Sequence, residues 1–289
     1  MVSIRELLRR ALLNQRVLDV SVGDGRVLRV HDSGAHETNV MTLVWHHGSP
    51  QTGALLEPVL AAALERGIRL VSYGRPSYGG SSAQPGRTVG DAAADVAAIA
   101  DAIGVERFAT MGASGGGPHA LACAALMPEL VSGVVTLAGL APLTDSFDWW
   151  GGMVAPGGLQ AAMRGRDARA AFAAVDEFDP GSFNDADYAA LNGEWAALGD
   201  DVAASAQWGD DGLIDDDVVF VAGWGFEISE IEVPVLVVQG ADDRVVPAGH
   251  GAYLHGAIGG AELRMLDGDG HVSVLREVAS GMDWLLERR

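Results

Sequence analysis

The amino-acid sequence predicts an α/β fold: a mostly parallel sheet with helices on both faces and one helical segment inserted into it. Two observations carry this prediction. Short β-rich runs alternate with longer helical stretches along most of the 289 residues, and parallel strands need such crossovers while both faces of a parallel sheet must be covered. The alternation stops near Pro142 and resumes near Pro234, and composition shifts between them: from Ala170 to Asp243 there are 18 acids and no base. Five of the 7 tryptophans (Trp149, Trp150, Trp195, Trp208, Trp224) also fall between Pro142 and Glu230. They read as the packing core of a helical lid, with one or two rings available to line an apolar pocket.

In chain order, Ile4, Leu7, Leu8, Ala11 and Leu12 recur at helical spacing among Arg5, Glu6, Arg9 and Arg10. The charges interrupt any apolar core of a signal peptide and leave an amphipathic helix expected to pack on the protein's own body. Arg16 to Val22 and Arg26 to His31 flank Gly23-Asp24-Gly25 and form a hairpin, because Asp-Gly supplies the positive backbone angles of a tight turn. Met41 to Trp45 is a continuous apolar strand. There follow a strand Ile68 to Tyr73, a helix Val89 to Ile103, a strand Arg107 to Met111, a helix Pro118 to Leu126 and a strand Val131 to Ala138. Beyond the insertion come a strand Pro234 to Gln239, a helix from Ala248, a short strand Glu262 to Leu266 and a last helix Val274 to Glu287.

With 48% hydrophobic and 20% charged residues the chain can bury a large core. All 19 basic residues are Arg, which excludes Schiff-base chemistry, a lysine-anchored pyridoxal phosphate and a phosphate-binding P-loop. A formal charge of −20 repels phosphate backbones and anionic membrane surfaces, so nucleic acid and membrane are not expected partners. The single Cys123 permits no intrachain disulfide, which fits a reducing, cytoplasmic compartment, and it reads as a small buried hydrophobe. No run of eighteen apolar residues is long enough to span a bilayer.

The sharpest chemical signal is Gly112-Ala113-Ser114-Gly115-Gly116, directly after an apolar strand and opening a helix with Pro118 in its first turn. A strained strand-to-helix turn exposes the serine oxygen, and Gly112 and Gly116 on either side let the backbones approach. The helix start aims free N–H groups at a developing oxyanion, Gly115 nearest. A serine needs a base, and the base an orienter. Asp242 and Asp243 lie in the loop Gly240 to Pro247, and His271 in Gly268-Asp269-Gly270-His271; both loops leave the carboxyl ends of strands, where open α/β sheets bind ligands. Local physics does not rank the two adjacent carboxylates. A second oxyanion donor, the Ser49 N–H, is expected from His46-His47-Gly48-Ser49-Pro50, where Gly48 lets the backbone turn and His47 holds the loop. A metal site at His46 and His47 is disfavoured because neighbours on a strand point to opposite faces.

These motifs resemble those of the α/β-hydrolase superfamily over nearly the full length. His47-Gly48-Ser49-Pro50 resembles its oxyanion loop, Gly112 to Gly116 its nucleophile elbow, Gly240 to Pro247 its acid turn and Gly270-His271 its histidine loop. The resemblance implies an eight-stranded sheet, a core domain of residues 1–141 and 229–289, and a lid over 142–228. It selects Asp243 as the carboxylate and implies a Ser114–His271–Asp243 serine hydrolase without cofactor or metal. The expected substrate is a small carboxylic ester, lactone or thioester. The rival activities are an aminopeptidase of the proline-iminopeptidase type, whose lid acids bind an amino terminus, and a cofactor-free perhydrolase or oxygenase; a non-catalytic receptor would have no use for all three residues. One departure is Tyr73-Gly74-Arg75-Pro76, where relatives commonly carry an Asp before the Arg-Pro.

Two features stand outside this scheme. Asp200-Asp201, Asp210-Asp211 and Asp215 to Asp217 lack calcium-loop spacing and read as a solvated face. Such a face would hold a negative potential over any mouth it borders and favour cationic or neutral substrates. His119, His250 and His255 have no partner that the sequence identifies.

Overall fold

The computed structural model describes residues 15–36 and 39–288; the amphipathic helix expected over Ile4 to Leu12 lies outside them. Eight strands form one sheet in the order β1-β2-β4-β3-β5-β6-β7-β8: β1 (Arg16–Ser21), β2 (Val27–Asp32), β3 (Met41–His46), β4 (Ile68–Tyr73), β5 (Phe108–Ala113), β6 (Val131–Leu137), β7 (Val235–Gly240) and β8 (Glu262–Leu266). The β1–β2 hairpin is antiparallel, with Ser21 opposite Val27, and β2 pairs antiparallel with β4. Every other pairing is parallel. The predicted strands all form, each within two residues of its expected ends.

Ten α-helices cover or extend this sheet among the described residues: α1 (Glu57–Glu65), α2 (Asp91–Ala102), α3 (Gly116–Leu126), α4 (Gly157–Ala162), α5 (Arg166–Ala173), α6 (Asp185–Leu191), α7 (Ala196–Ser205), α8 (Asp211–Phe220), α9 (Ala248–Ala257) and α10 (Val278–Leu286). Helix α1 is absent from the sequence reading, although Pro58 in its first turn and buried Val59, Leu60 and Ala63 mark it. The last predicted helix is split, a 3-10 segment Ser273–Glu277 preceding α10. Alternation along the strands sorts the core onto two faces. Leu43, Trp45, Met111 and Leu137 pack with Leu60 of α1 and Met282 of α10, whereas Val44, Val71 and Val134 pack with Val96 of α2, Leu121 of α3 and Leu254 of α9.

Helices α4 to α8 lie between β6 and β7, where the insertion is expected. The tryptophans do not give this segment a core of its own. Trp149 and Trp224 join the hydrophobic cluster on one face of the sheet and Trp195 the cluster on the other, while Trp208 is 46% exposed. The expected solvated acidic face is also corrected. Asp200, Asp210 and Asp211 are exposed, but Asp201 is half-buried and Asp215, Asp216 and Asp217 are buried. Asp201 accepts the Thr52 N–H at 3.1 Å. Asp215 pairs with Arg166 at 2.7 Å, Asp217 with Arg169 at 2.6 Å and Asp216 with Arg75 at 2.6 Å, so arginines remote in sequence compensate these charges. No helix among the described residues is long and apolar enough to cross a membrane.

Candidate active site

The chain leaves β3 toward β4 on one side and crosses to β5 on the other, which opens a crevice at the strands' carboxyl ends. Ser114 follows β5 with φ 51°, a left-handed conformation costing an L-residue about 1 kcal/mol. The flanking glycines explain how the turn closes. A Cβ on Gly112 would lie 2.2 Å from the Gly116 carbonyl oxygen, and one on Gly116 would lie 2.0 Å from that of His46. Gly48 differs from expectation: a Cβ there would meet Ser114 Cβ at an ordinary 3.6 Å, so the turn does not demand glycine. Its N–H donates to Gln51 Oε1 at 3.1 Å instead.

His271 connects the serine to one carboxylate. Its Nε2 lies 2.9 Å from Ser114 Oγ and its Nδ1 2.9 Å from Asp243 Oδ2. Asp243 is buried; its Oδ1 accepts the N–H groups of Val245 and Val246, both at 2.8 Å, and its Oδ2 accepts Gln239 Nε2 at 3.2 Å. Asp242 is exposed. Burial disfavours the His271 imidazolium, but Asp243, hydrogen-bonded to it, and Asp187 outweigh this and raise its pKa above the ordinary value.

The loop after β3 abuts Ser114. A Cβ on Gly115 would lie 2.6 Å from Ser49 Oγ, so the two expected donor residues are neighbours, and neither backbone N–H has an acceptor among the described residues. His47 holds the loop as expected: Nε2 accepts the Arg75 N–H at 3.1 Å, which leaves the proton on Nδ1 to donate to the Gly48 carbonyl at 2.6 Å. His46 points the other way, toward Tyr73 and Cys123.

Sequence reasoning misses two carboxylates of the inserted segment. Asp216 of α8 is fully buried and accepts from Ser49 Oγ (2.5 Å), Arg75 Nη2 (2.6 Å), Arg87 Nη2 (2.8 Å) and Tyr78 OH (2.9 Å). Burial alone would raise its pKa, but the two guanidiniums hold it well below the carboxylate range. His119, 4.0 Å from Asp216, is lowered to about 3 by burial and Arg75 and is neutral. Arg75 thus has an ion-pair partner although no Asp precedes it in its own loop. Asp187 of α6 accepts the N–H groups of Val272 and Ser273, both at 2.8 Å, and of His271 at 3.2 Å. A Cβ at Gly270 would lie 2.1 Å from Asp187 Oδ2, so a glycine there admits the clasp on the histidine loop. The Asn184-Asp185-Ala186-Asp187 capping box is a legible helix start, but its reach to His271 is not.

Two cavities meet at Ser114. The larger, about 500 Å³, is lined chiefly by apolar groups, among them Phe178, Phe183, Leu198, Val202 and Leu275, and by no carboxylate among the described residues. The smaller, about 190 Å³, contains Arg169, Asp176 and Asp217. No tryptophan lines either one.

Comparison with known proteins agrees with this architecture. A hydrolase from Pseudomonas aeruginosa superposes with TM-score 0.65 at 24% identity, over 94% of this chain and 97% of that one. An enol-lactonase from Burkholderia xenovorans gives 0.68 at 22% identity, over 94% and 98%. An esterase from a Rhodococcus species gives 0.70 at 24% identity, over 94% and 99%. No curated protein matches the sequence. The family model described as alpha/beta hydrolase fold matches residues 42–278, and the chain therefore belongs to the α/β-hydrolase family.

Proposed function

We propose that this protein is a serine hydrolase that cleaves a small carboxylic ester, or a related lactone or thioester, through an acyl-enzyme, with helices α4 to α8 as its lid. The observation that carries this reading is the hydrogen-bonded chain Ser114–His271–Asp243, with both links 2.9 Å long. In the first half-reaction Ser114 Oγ attacks the carbonyl carbon while His271 Nε2 takes its proton. The Ser49 and Gly115 N–H groups receive the oxyanion, and His271 returns the proton to the departing alcohol. Water then attacks the acyl-serine with the same base, and the acid leaves. Asp243 keeps the imidazole proton on Nδ1 and stabilises the imidazolium.

The esterase and the enol-lactonase among the structural relatives support this substrate range. The aminopeptidase alternative needs a free carboxylate beside the site. Among the described residues none lines the large cavity; in the small one Asp217 is engaged by Arg169, and Asp176, which no cation there engages, is the group such an activity would use, so aminoacyl amides belong beside esters in the substrate test. A perhydrolase or oxygenase would use the same groups, and peroxide or oxygen-consumption assays separate it from an esterase. A fluorophosphonate probe tests the central claim: it is expected to label the protein at Ser114 and to leave folded Ser114→Ala unlabelled. Labelling elsewhere, or none, overturns the reading.

The pH profile follows from His271. The base must be neutral, so with its pKa raised, kcat/KM is expected to climb with pH through an inflection above about 6.5. Asp243→Asn removes the largest group that raises it, so the inflection moves to lower pH while the rate falls roughly 10²- to 10⁴-fold. Asp242→Asn leaves both nearly unchanged. If the two substitutions exchange effects, the carboxylate is Asp242.

A further inference from the structure

We infer that the smaller cavity beside Ser114 is a subsite for a carboxylate group of the substrate, held by the guanidinium of Arg169. The inference rests on the hydrolase reading above and narrows its substrate class. Arg169, on α5, is 3% exposed, and a buried guanidinium ordinarily fills its hydrogen bonds. Its only hydrogen bond among the described residues runs from Nε to Asp217 Oδ2 at 2.6 Å, and Nη1 is buried without a partner. The carboxylate therefore occupies Nε alone; Nη2 is the accessible unpartnered donor of the guanidinium fork, and Nη1 beside it is covered by protein.

The group is also held in place. A Cβ on Gly158 would lie 3.2 Å from Arg169 Nε and 3.3 Å from its Cζ, so the α4 backbone backs the guanidinium, and the Phe172 ring lies 5.8 Å from Cζ. Arg169 and Ser114 line the same cavity, which shares Ser49, Ser114, Ser182 and Val245 with the apolar one. A substrate with its carbonyl at Ser114 thus has an apolar arm in one direction and a short arm toward Arg169 in the other. Burial, with Asp216 and Asp176 nearby, pushes the Asp217 carboxyl up to about 6 in spite of Arg169; Asp176 lines the same cavity, so a substrate carboxylate competes there with protein carboxylates for this one cation. The preference is opposite to the one that counting lid charges predicts.

Nitrophenyl and alkyl esters of matched length, ending in methyl, carboxylate or ammonium on either the acyl or the alcohol side, test the subsite. On one side, kcat/KM for the carboxylate tail is expected to exceed that for the methyl tail by about tenfold or more. The ratio is expected to fall near one in Arg169→Gln, and in Arg169→Lys, which keeps the cation and its pairing with Asp217 but loses the fork. Because each ratio compares two substrates on one enzyme, loss of folded protein cancels. Calorimetric binding of succinate, present in the wild type and lost in Arg169→Lys, reads the subsite without turnover. Ammonium tails preferred over carboxylate, or methyl and carboxylate tails equal on both sides, or a preference surviving in both variants, overturn the inference. With neutral esters still hydrolysed, such results leave the hydrolase reading standing; loss of Ser114 labelling and of all ester turnover removes that reading, and succinate binding still decides the subsite.

Discussion

Ser114→Ala is expected to lower ester turnover by roughly 10³-fold or more, because it removes the covalent step and leaves substrate binding and the oxyanion donors in place. His271→Ala is expected to cost nearly as much. The double variant should be little worse than either one, since a base without a nucleophile and a nucleophile without a base fail at the same step. Steady-state rates on a neutral nitrophenyl ester, with folding checked by thermal melting, measure this. Multiplicative losses in the double variant would mean that the two residues act independently, against the 2.9 Å contact between Ser114 Oγ and His271 Nε2.

Asp216→Ala should have the largest effect on stability. It leaves the buried guanidiniums of Arg75 and Arg87 without their shared carboxylate, and removing one partner from a buried ion pair costs about 3–5 kcal/mol. For a domain of this size that corresponds to a fall in Tm of roughly 10 °C. Turnover of the remaining folded enzyme should also fall, because Ser49 Oγ loses the acceptor that holds its loop beside Ser114. The combined change Arg75→Met with Asp216→Leu should cost less than the sum of its parts, since neither charge is then left alone. Additive losses, or an unchanged Tm for Asp216→Ala, would show that this cluster does not fasten α8 to the sheet.

The acidic segment separates what a sequence reveals from what it conceals. Counting 18 acids and no base between Ala170 and Asp243 suggests a solvated face. Yet Asp216 meets Arg75 across 141 residues of chain and Asp217 meets Arg169 across 48. A local count of charge cannot see a compensating cation supplied by another element. The same reason hides Asp187, whose contact with Val272 spans 85 residues, and the unpartnered Nη groups of Arg169, which are defined by which neighbours do not reach them.

What the sequence by itself determined is the part governed by short-range physics. Apolar runs and their crossovers dictate the sheet, Gly112 and Gly116 dictate the tight turn that exposes Ser114, and strand ends followed by Asp242-Asp243 and Gly270-His271 bring an acid and a base to the same edge. Local physics left two adjacent carboxylates unranked and the family resemblance chose Asp243, which the structure places against His271; tertiary structure alone decided that the tryptophans complete the sheet's two cores instead of a core of their own, and that Asp216 and Asp187 of the inserted segment grip the loops that carry Ser49 and His271. Backbone sterics and side-chain periodicity act over a few residues and are written in order along the chain. Burial and ion pairing depend on which distant elements meet, and that is settled only when the whole chain packs.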